Sequence, residues 1–187
     1  IFFILIVIPM IIQGMLSYSR ASRALQNTIN EELKTQVADN AQLISKSIQS
    51  VKSTVEISSL NNQMAVVAKG NASEEDIDTA FDYITQLQKK NQEFMEVLII
   101  TDKTGKVIID PQTKQPDIDL SDRDYMKETL NKGNGAVSEV ITSRFTQNPA
   151  IFISYPIKEN GQIVGAMVGS IKFASITQFA AAVNIGE

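Results

Sequence analysis

The sequence contains no cysteine and no histidine among its 187 residues. These absences exclude Cys-His and Ser-His-Asp catalytic sets, and they exclude metal sites built on thiolate or imidazole ligands. Asp110 and Asp117 are open to an acid–base interpretation, but separated loop carboxylates of this kind are common in proteins without catalytic activity. We therefore expect a protein that is not an enzyme, with no catalytic residue, no metal site and no cofactor.

The chain also lacks any block of basic residues, and its formal net charge is -4. Because nucleic-acid binding depends on clustered lysine and arginine that neutralise phosphate, we expect no nucleic-acid partner. Asp117, Asp119 and Asp122 lie close together in sequence, but the glycine that a calcium loop needs for its sharp turn is missing. These carboxylates are interpreted as solvated loop acids.

Proline and glycine are absent between residues 17 and 69. Within this stretch, apolar residues recur at steps of three, four or seven, which predicts a helix with one core-facing stripe. At ~1.5 Å per residue, about 40 residues make a rod of roughly 60 Å. Polar residues of poor helix propensity at 58–62 predict a break in this helix. The stripe consists of Leu25, Ile29, Leu33, Val37, Ala41, Ile44, Ile48, Val51 and Val55.

Charged residues are absent from residues 1–16, which form the longest apolar run of the chain. This run is slightly shorter than the ~20 residues that span a bilayer, but the chain starts at isoleucine, so we expect the segment to be truncated at its start. We interpret residues 1–16 as a transmembrane helix. A buried core helix and the remnant of a signal peptide stay open as alternatives.

From Gly70 onward, glycine, proline and polar turns divide the chain into shorter elements. Ser73 precedes three acidic residues and is the expected cap of a second helix. Asn160-Gly161, between two apolar stretches, is a strong hairpin signal. The order of elements predicts an α+β fold in which a five-stranded antiparallel sheet packs on the long helix. The predicted helices lie at 74–91, 122–131 (capped by Ser121) and 174–183, and the predicted strands at 96–101, 106–110, 136–143, 150–158 and 162–173.

The turn at Asn160-Gly161 also predicts a register in which paired residue numbers sum to 321. Gly165 and Gly169 would then share one face of the sheet, where the absence of side chains admits the long helix closely. The opposite face, with Tyr155 and Ser170, would turn towards the short helix, and we expect a pocket there. The predicted pairs are Ile151 with Ser170, Ile153 with Val168 and Tyr155 with Ala166.

Three segments, Leu120–Met126, Tyr155–Gly161 and Ile163–Ser170, carry a family resemblance. Their order and spacing resemble the double-Cache sensor modules of bacterial transmembrane receptors, mainly methyl-accepting chemotaxis proteins. The resemblance implies a PAS-like sheet in a membrane-distal Cache lobe. The implied parts of the chain are a transmembrane helix at 1–16, a stalk helix at 17–69, the Cache lobe at 70–173 and, at 174–187, a connector towards a membrane-proximal lobe.

In such receptors the arginine of the short helix grips a ligand carboxylate, and an aromatic residue two positions later lines the same pocket. The resemblance implies these roles for Arg123 and Tyr125. Pairing of Arg123 with a nearby surface aspartate, and packing of Tyr125 between helix and sheet, stay open as alternatives. The candidate ligand-binding residues are Arg123, Tyr125, Tyr155, Ser170, Asp110, Ile153 and Val168.

Amino-acid-binding members of the family carry an aspartate where this chain has Ser170, and they have two adjacent aromatics where Tyr125 is followed by Met126. A carboxylate without an ammonium group therefore fits the pattern better than an α-amino acid. The expected function is the extracytoplasmic, ligand-sensing part of a bacterial receptor in the cell membrane, first of all a homodimeric chemotaxis transducer. The alternatives are the sensor of a histidine kinase or cyclic-dinucleotide enzyme, or a membrane-anchored interaction module without a small-molecule ligand.

Overall fold

The computed structural model describes residues 2–111 and 116–174. The first helix, α1 (Phe2–Ser59), belongs to two compact units, because the first unit extends to Leu43 and the second begins at Ile44. Within the described residues, no helix has a stretch both long and apolar enough to cross a membrane. The predicted helix at 174–183 lies, apart from its first residue, outside the described residues.

The apolar stripe of α1 is buried only towards the C-terminal end of the helix. Val51 and Val55 lie in the core of the second unit, with at most 1% of their surface exposed. By contrast, Leu25, Ile29 and Val37 are 62%, 45% and 51% exposed. The predicted packing of the sheet on the long helix is confirmed for the part of α1 that belongs to the second unit.

The described part of the second unit adds three helices and five strands to the end of α1. Helix α1 ends inside the predicted 58–62 window, and the side chain of Asn61 caps the next helix by accepting from Gln63 N at 3.0 Å. Ser73 caps the third helix, as predicted, in a reciprocal capping box with Asp76. The elements are α2 (Asn62–Ala68), α3 (Glu74–Lys90), β1 (Met95–Asp102), β2 (Val107–Ile109), α4 (Asp124–Lys132), β3 (Ala136–Thr142), β4 (Pro149–Glu159) and β5 (Gln162–Lys172).

The five strands form one antiparallel sheet in the order β2-β1-β5-β4-β3. One face, called here the helix face, packs against the end of α1, α2 and α3, whereas the opposite α4 face packs against α4. This arrangement confirms the predicted α+β class and the PAS-like sheet. The helix-face core contains Val55, Met64, Ile84, Leu98, Ile153 and Met167, and the α4-face core contains Ile99, Leu120, Met126, Phe152 and Val168.

Two glycines of β5 bring the helix face close to the helices, as predicted. A Cβ atom added at Gly169 would lie 2.5 Å from Val55 Cγ2 of α1. A Cβ atom added at Gly165 would lie 2.8 Å from Ala68 Cβ of α2. Both distances are too short for real carbon contacts, so only glycine allows the helices to pack at this depth.

The predicted register of the β4–β5 hairpin holds only next to the turn. Lys158 pairs with Ile163 there, and the numbers sum to 321 as expected, but a bulge follows between Ile157 and Lys158. Because a bulge adds one residue to one strand, every later pair is shifted by one. The observed pairs include Ile151 with Ile171, Ile153 with Gly169 and Tyr155 with Met167. The predicted pairs are therefore wrong, and Tyr155 and Ile153 lie on the helix face.

Candidate functional site

An open groove of about 440 Å³ lies between the first half of α4 and the edge strand β3. Its α4 side is formed by residues 122–125 and Glu128, and its β3 side by residues 137–139 and Ile141. The groove contains Arg123 and Tyr125, the two residues for which the family resemblance implies ligand contact. It is called here the α4–β3 groove.

Arg123 occupies the N-cap position of α4 with extended backbone angles, and its side chain makes no capping hydrogen bond. The predicted start of the helix at Asp122, with Ser121 as cap, is therefore two residues too early. The Nη2 atom of Arg123 donates to Thr142 O at 3.2 Å, at the end of β3. Among the described residues Arg123 forms no ion pair, so the surface pairing with an aspartate, left open from sequence, is not what the structure shows.

Arg144, in the β3–β4 turn, takes the aspartate instead. Its guanidinium forms a bidentate pair with Asp122, with N–O distances of 3.0 and 2.6 Å, and also donates to the backbone carbonyl of Asp119. The hydrogen bonds from Arg144 hold the pKa of Asp122 below its usual value. This pair fastens the loop before α4 to the turn after β3. Among the described residues, the neighbouring guanidinium of Arg123 has a backbone carbonyl and no carboxylate as its partner.

Tyr125 packs between α4 and the sheet, one of the two roles that the sequence left open, and it also borders the α4–β3 groove. Its ring is buried and stacks on Phe152 with centroids 5.4 Å apart and an interplanar angle of 6°. Burial raises the pKa of Tyr125, so its hydroxyl stays protonated at neutral pH. The residue therefore packs α4 on the sheet while also lining the α4–β3 groove.

Ser170 and Val168 lie on the α4 face, but both are closed off from the groove. Each has at most 1% of its surface exposed. The hydroxyl of Ser170 accepts from Val97 N at 3.1 Å, where the β1–β5 pairing shifts between Met95 and Leu98. Ser170 therefore satisfies a backbone amide at a bulge.

The remaining predicted site residues are not brought to the groove. Ile153 is fully buried in the helix-face core. Tyr155 packs on the same face, next to Gly135 and Glu56. Asp110 is 4% exposed and follows β2, at the opposite edge of the sheet from β3. The structure thus assembles Arg123 with Tyr125 and separates them from the other five candidates.

Carboxylates outnumber the cations that line the α4–β3 groove. The sequence analysis did not predict this charge. Asp124 and Glu128 are four residues apart and so share one side of α4, a spacing that the sequence does reveal. Glu139 reaches the groove from a bulge in β3, between Val137 and Val140, where strand alternation predicts nothing. Lys127 and Lys132 pair with the two α4 carboxylates at 3.2 and 3.3 Å. In the described ranges no cluster of acidic side chains is arranged to hold a metal ion.

A five-stranded antiparallel sheet of this order, with a long helix on one face and a short helix on the other, is the fold of PAS-like sensor domains. The sequence profile described as "Cache domain" matches residues 21–187. The chain belongs to the Cache domain family, which confirms the resemblance found in the sequence motifs. Cache domains are extracytoplasmic, ligand-binding sensor domains of membrane receptors and are not catalytic.

Solved structures of sensor domains share this fold at low sequence identity. The Vibrio cholerae histidine kinase DctB sensor domain has a TM-score of 0.64 and 15% identity, covering 82% of this chain and 59% of that one. The Campylobacter jejuni chemoreceptor Tlp3 ligand-binding domain, in complex with L-valine, has a TM-score of 0.62 and 16% identity, covering 83% and 64%. A domain of a putative sensory box/GGDEF family protein from Vibrio parahaemolyticus has values of 0.62 and 16%, covering 79% and 61%.

The chain therefore spans less than two thirds of the length of these sensor structures. Their identities of 15–16% establish a common fold and nothing finer. None of the curated proteins compared with this chain matches it.

Proposed function

We propose that this chain is the ligand-sensing lobe of a transmembrane receptor and that the α4–β3 groove holds its ligand. The observation that carries the proposal is the state of Arg123. Its guanidinium stands at the groove, donates one hydrogen bond to Thr142 O, and forms no ion pair among the described residues. A guanidinium has five N–H donors in a planar fork, so a bidentate contact to a carboxylate remains available.

The ligand class supported by Arg123 is a small organic carboxylate. The sequence favoured a carboxylate ligand over an α-amino acid ligand, because Ser170 offers no charge to an ammonium group. That argument loses its basis, since Ser170 is buried and its hydroxyl accepts from Val97 N. Any ammonium group would instead meet Glu128 and Glu139 at the groove. Two Tlp3 neighbours contain L-valine and 4-methylisoleucine, so amino acids belong in the same panel as simple acids.

The test is a titration of the full chain, in mild detergent, with dicarboxylates, monocarboxylates and aliphatic amino acids, followed by melting temperature. A ligand at 100 times its Kd raises stability by about 2.7 kcal/mol, which is easily measured. Arg123→Ala should abolish the stabilisation, and Arg123→Lys should weaken it because lysine lacks the bidentate fork. Lys127→Ala is the matched control, since it removes one positive charge from the same helix. Equal binding by the parent and Arg123→Ala would remove the basis of the proposal.

We place this lobe in a bacterial cell-membrane receptor that works as a homodimer, with residues 1–16 as the membrane helix. The exposed apolar residues Leu25, Ile29 and Val37 support a partner helix in that dimer. A chemotaxis transducer is the favoured output, and the fold neighbours also include histidine kinase and GGDEF proteins. Light scattering of the chain in detergent measures whether it is a dimer. The receptor gene that encodes this chain shows which type of signalling domain the receptor carries.

A further inference from the structure

Tyr155 lies where the α4–β3 turn meets the helix face of the sheet. A Cβ atom added at Gly135 would lie 2.6 Å from both Cε1 and Cζ of the Tyr155 ring. Real Cβ atoms do not approach so closely, so the turn rests directly on the ring through a glycine. Any displacement of Gly135 towards the sheet must therefore move the Tyr155 ring.

The hydroxyl of Tyr155 reaches the long helix. The nearest charged group there is the carboxylate of Glu56, one turn before α1 ends at Ser59, and Glu56, Tyr155 and Gly135 line one small cleft. Burial, together with the nearby Glu56 carboxylate, raises the pKa of Tyr155, so the hydroxyl keeps its proton and faces that carboxylate as a donor. One side chain thus contacts the α4–β3 turn with its ring and faces Glu56 of α1 with its hydroxyl.

A second contact ties the same end of α4 to β4. Gly133 caps α4 in the left-handed conformation (φ 72°), and its carbonyl accepts from Lys158 Nζ at 3.0 Å. Helix α4 has nine residues, about 13 Å of rise, and its first turn follows directly on Arg123. The helix therefore has the α4–β3 groove at one end and the Tyr155 contact at the other.

We propose that Tyr155 is the positioning residue that couples α4 to α1. This inference rests on the proposed ligand groove at Arg123. A ligand that draws the start of α4 into a new position also moves Gly135 on the ring, and the hydroxyl transfers that displacement to Glu56. Such a ligand shifts α1 only to the extent that it prefers one arrangement of α4 over the other. A tyrosine that the sequence placed in the pocket acts instead between the pocket and the stalk.

The coupling can be tested without any ligand, because the chain has no cysteine and accepts a single label. Ile57→Cys, at a position that is 65% exposed and adjacent to Glu56, carries a trifluoromethyl tag whose ¹⁹F resonance reports on α1. Gly135→Ala then pushes the Tyr155 ring from the α4 side. Lys158→Met, which releases the Gly133 carbonyl without adding volume, is the gentler second perturbation if Gly135→Ala reduces folding.

The matched control is Tyr83, whose hydroxyl also contacts α1, at 3.4 Å from Ser58 Oγ, but which belongs to α3. We expect Gly135→Ala and Lys158→Met to shift the tag resonance in the parent and in Tyr83→Phe, and the shift to fall at least twofold in Tyr155→Phe. An undiminished shift in Tyr155→Phe, an equal reduction in Tyr83→Phe, or no shift in any folded variant would overturn the coupling.

Ligand binding separates this proposal from the previous one. Tyr155→Phe should leave the affinity for any carboxylate found in the panel within twofold of the parent, whereas Arg123→Ala should abolish it. If Arg123→Ala binds normally while the tag responses follow expectation, the groove assignment fails and the α4–α1 contact stands. If Arg123→Ala loses binding while the tag responses do not depend on Tyr155, only the coupling is wrong.

Discussion

Replacing Gly169 by alanine should force α1 away from the sheet. The added Cβ would lie 2.5 Å from Val55 Cγ2, about an ångström closer than ordinary carbon contact. Val55 is fully buried and β-branched, and a helix leaves such a side chain essentially one rotamer, so it cannot swing aside. Overpacking of this kind costs about 1–3 kcal/mol, partly offset by the ~0.5–1 kcal/mol gained when a strand glycine becomes alanine. We expect a net loss of about 1–2 kcal/mol.

A double-mutant cycle with Val55→Ala removes the methyl groups that the new Cβ would meet. Val55→Ala alone should cost about 2 kcal/mol, since it takes two buried methyl groups from the core. In that background, however, Gly169→Ala should be neutral or slightly stabilising, because the atoms it collides with are gone. Urea unfolding followed by the near-ultraviolet circular dichroism of the tyrosines gives the four free energies of the cycle. Additivity within about 0.5 kcal/mol would show that the two residues do not collide and would refute the packing.

Gly165 supplies the matched comparison within the same strand. A Cβ added there would lie 2.8 Å from Ala68 Cβ, but also 2.1 Å from the backbone carbonyl oxygen of Thr101 in β1. Removing the Ala68 methyl with Ala68→Gly leaves the backbone obstacle in place. Gly165→Ala should therefore be more destabilising than Gly169→Ala, and no substitution in the helices should rescue it.

Three further predictions concern two hydrogen-bonding side chains and one ion pair. Ser170→Ala should cost about 1–3 kcal/mol in urea unfolding, because the buried Val97 amide loses its acceptor, and it should leave ligand affinity unchanged. Ser73→Ala should cost about 1 kcal/mol by removing one half of a capping box, measured in the same way. Arg144 lowers the pKa of Asp122, so their pair contributes stability above the unfolded pKa and loses it as pH falls through the lower folded pKa. The difference between the parent and Asp122→Asn, below ~1 kcal/mol at this exposed pair, should therefore vanish in strong acid.

Sequence patterns predicted the layout of the fold because turns and caps are local. Ser73 with Asp76, the polar residues around Asn61, and Asn160-Gly161 each determine backbone geometry through neighbours a few positions away. The close packing of α1 at Gly169 was also predicted, although it joins distant parts of the chain, since a glycine amid bulky strand residues indicates the close approach of another element. Such signals do not depend on the register of the sheet, so an error in the register leaves them intact.

Bulges account for most of what the sequence did not predict at the site. The shift at Ile157 moved Tyr155 and Ile153 to the helix face, and the one between Met95 and Leu98 gave Ser170 an amide to satisfy. A bulge is a tertiary compromise between twist and packing, and a single sequence carries no fixed signal for it. The predicted start of α4 was wrong for a different reason. The backbone amide of Ser121 donates to Asp119, and Arg123, not Ser121, is the N-cap residue.

The same contacts restrict where ligand specificity can reside in this lobe. On the α4 face, the Ser154 hydroxyl bonds Thr129 Oγ1 at 2.6 Å and lies 3.3 Å from the Tyr125 carbonyl oxygen, so α4 sits directly on the inner strand β4. The Ser170 hydroxyl is buried too and accepts from Val97 N, so neither hydroxyl is accessible to a ligand in this structure. Within the described residues, the groove beside α4 that contains Arg123 is bordered by the edge strand β3, and Glu139, from the bulge of that strand, lines the same groove. On our proposal that the α4–β3 groove holds the ligand, substitutions that change ligand preference should fall on α4 and β3, while those in the inner strands change stability.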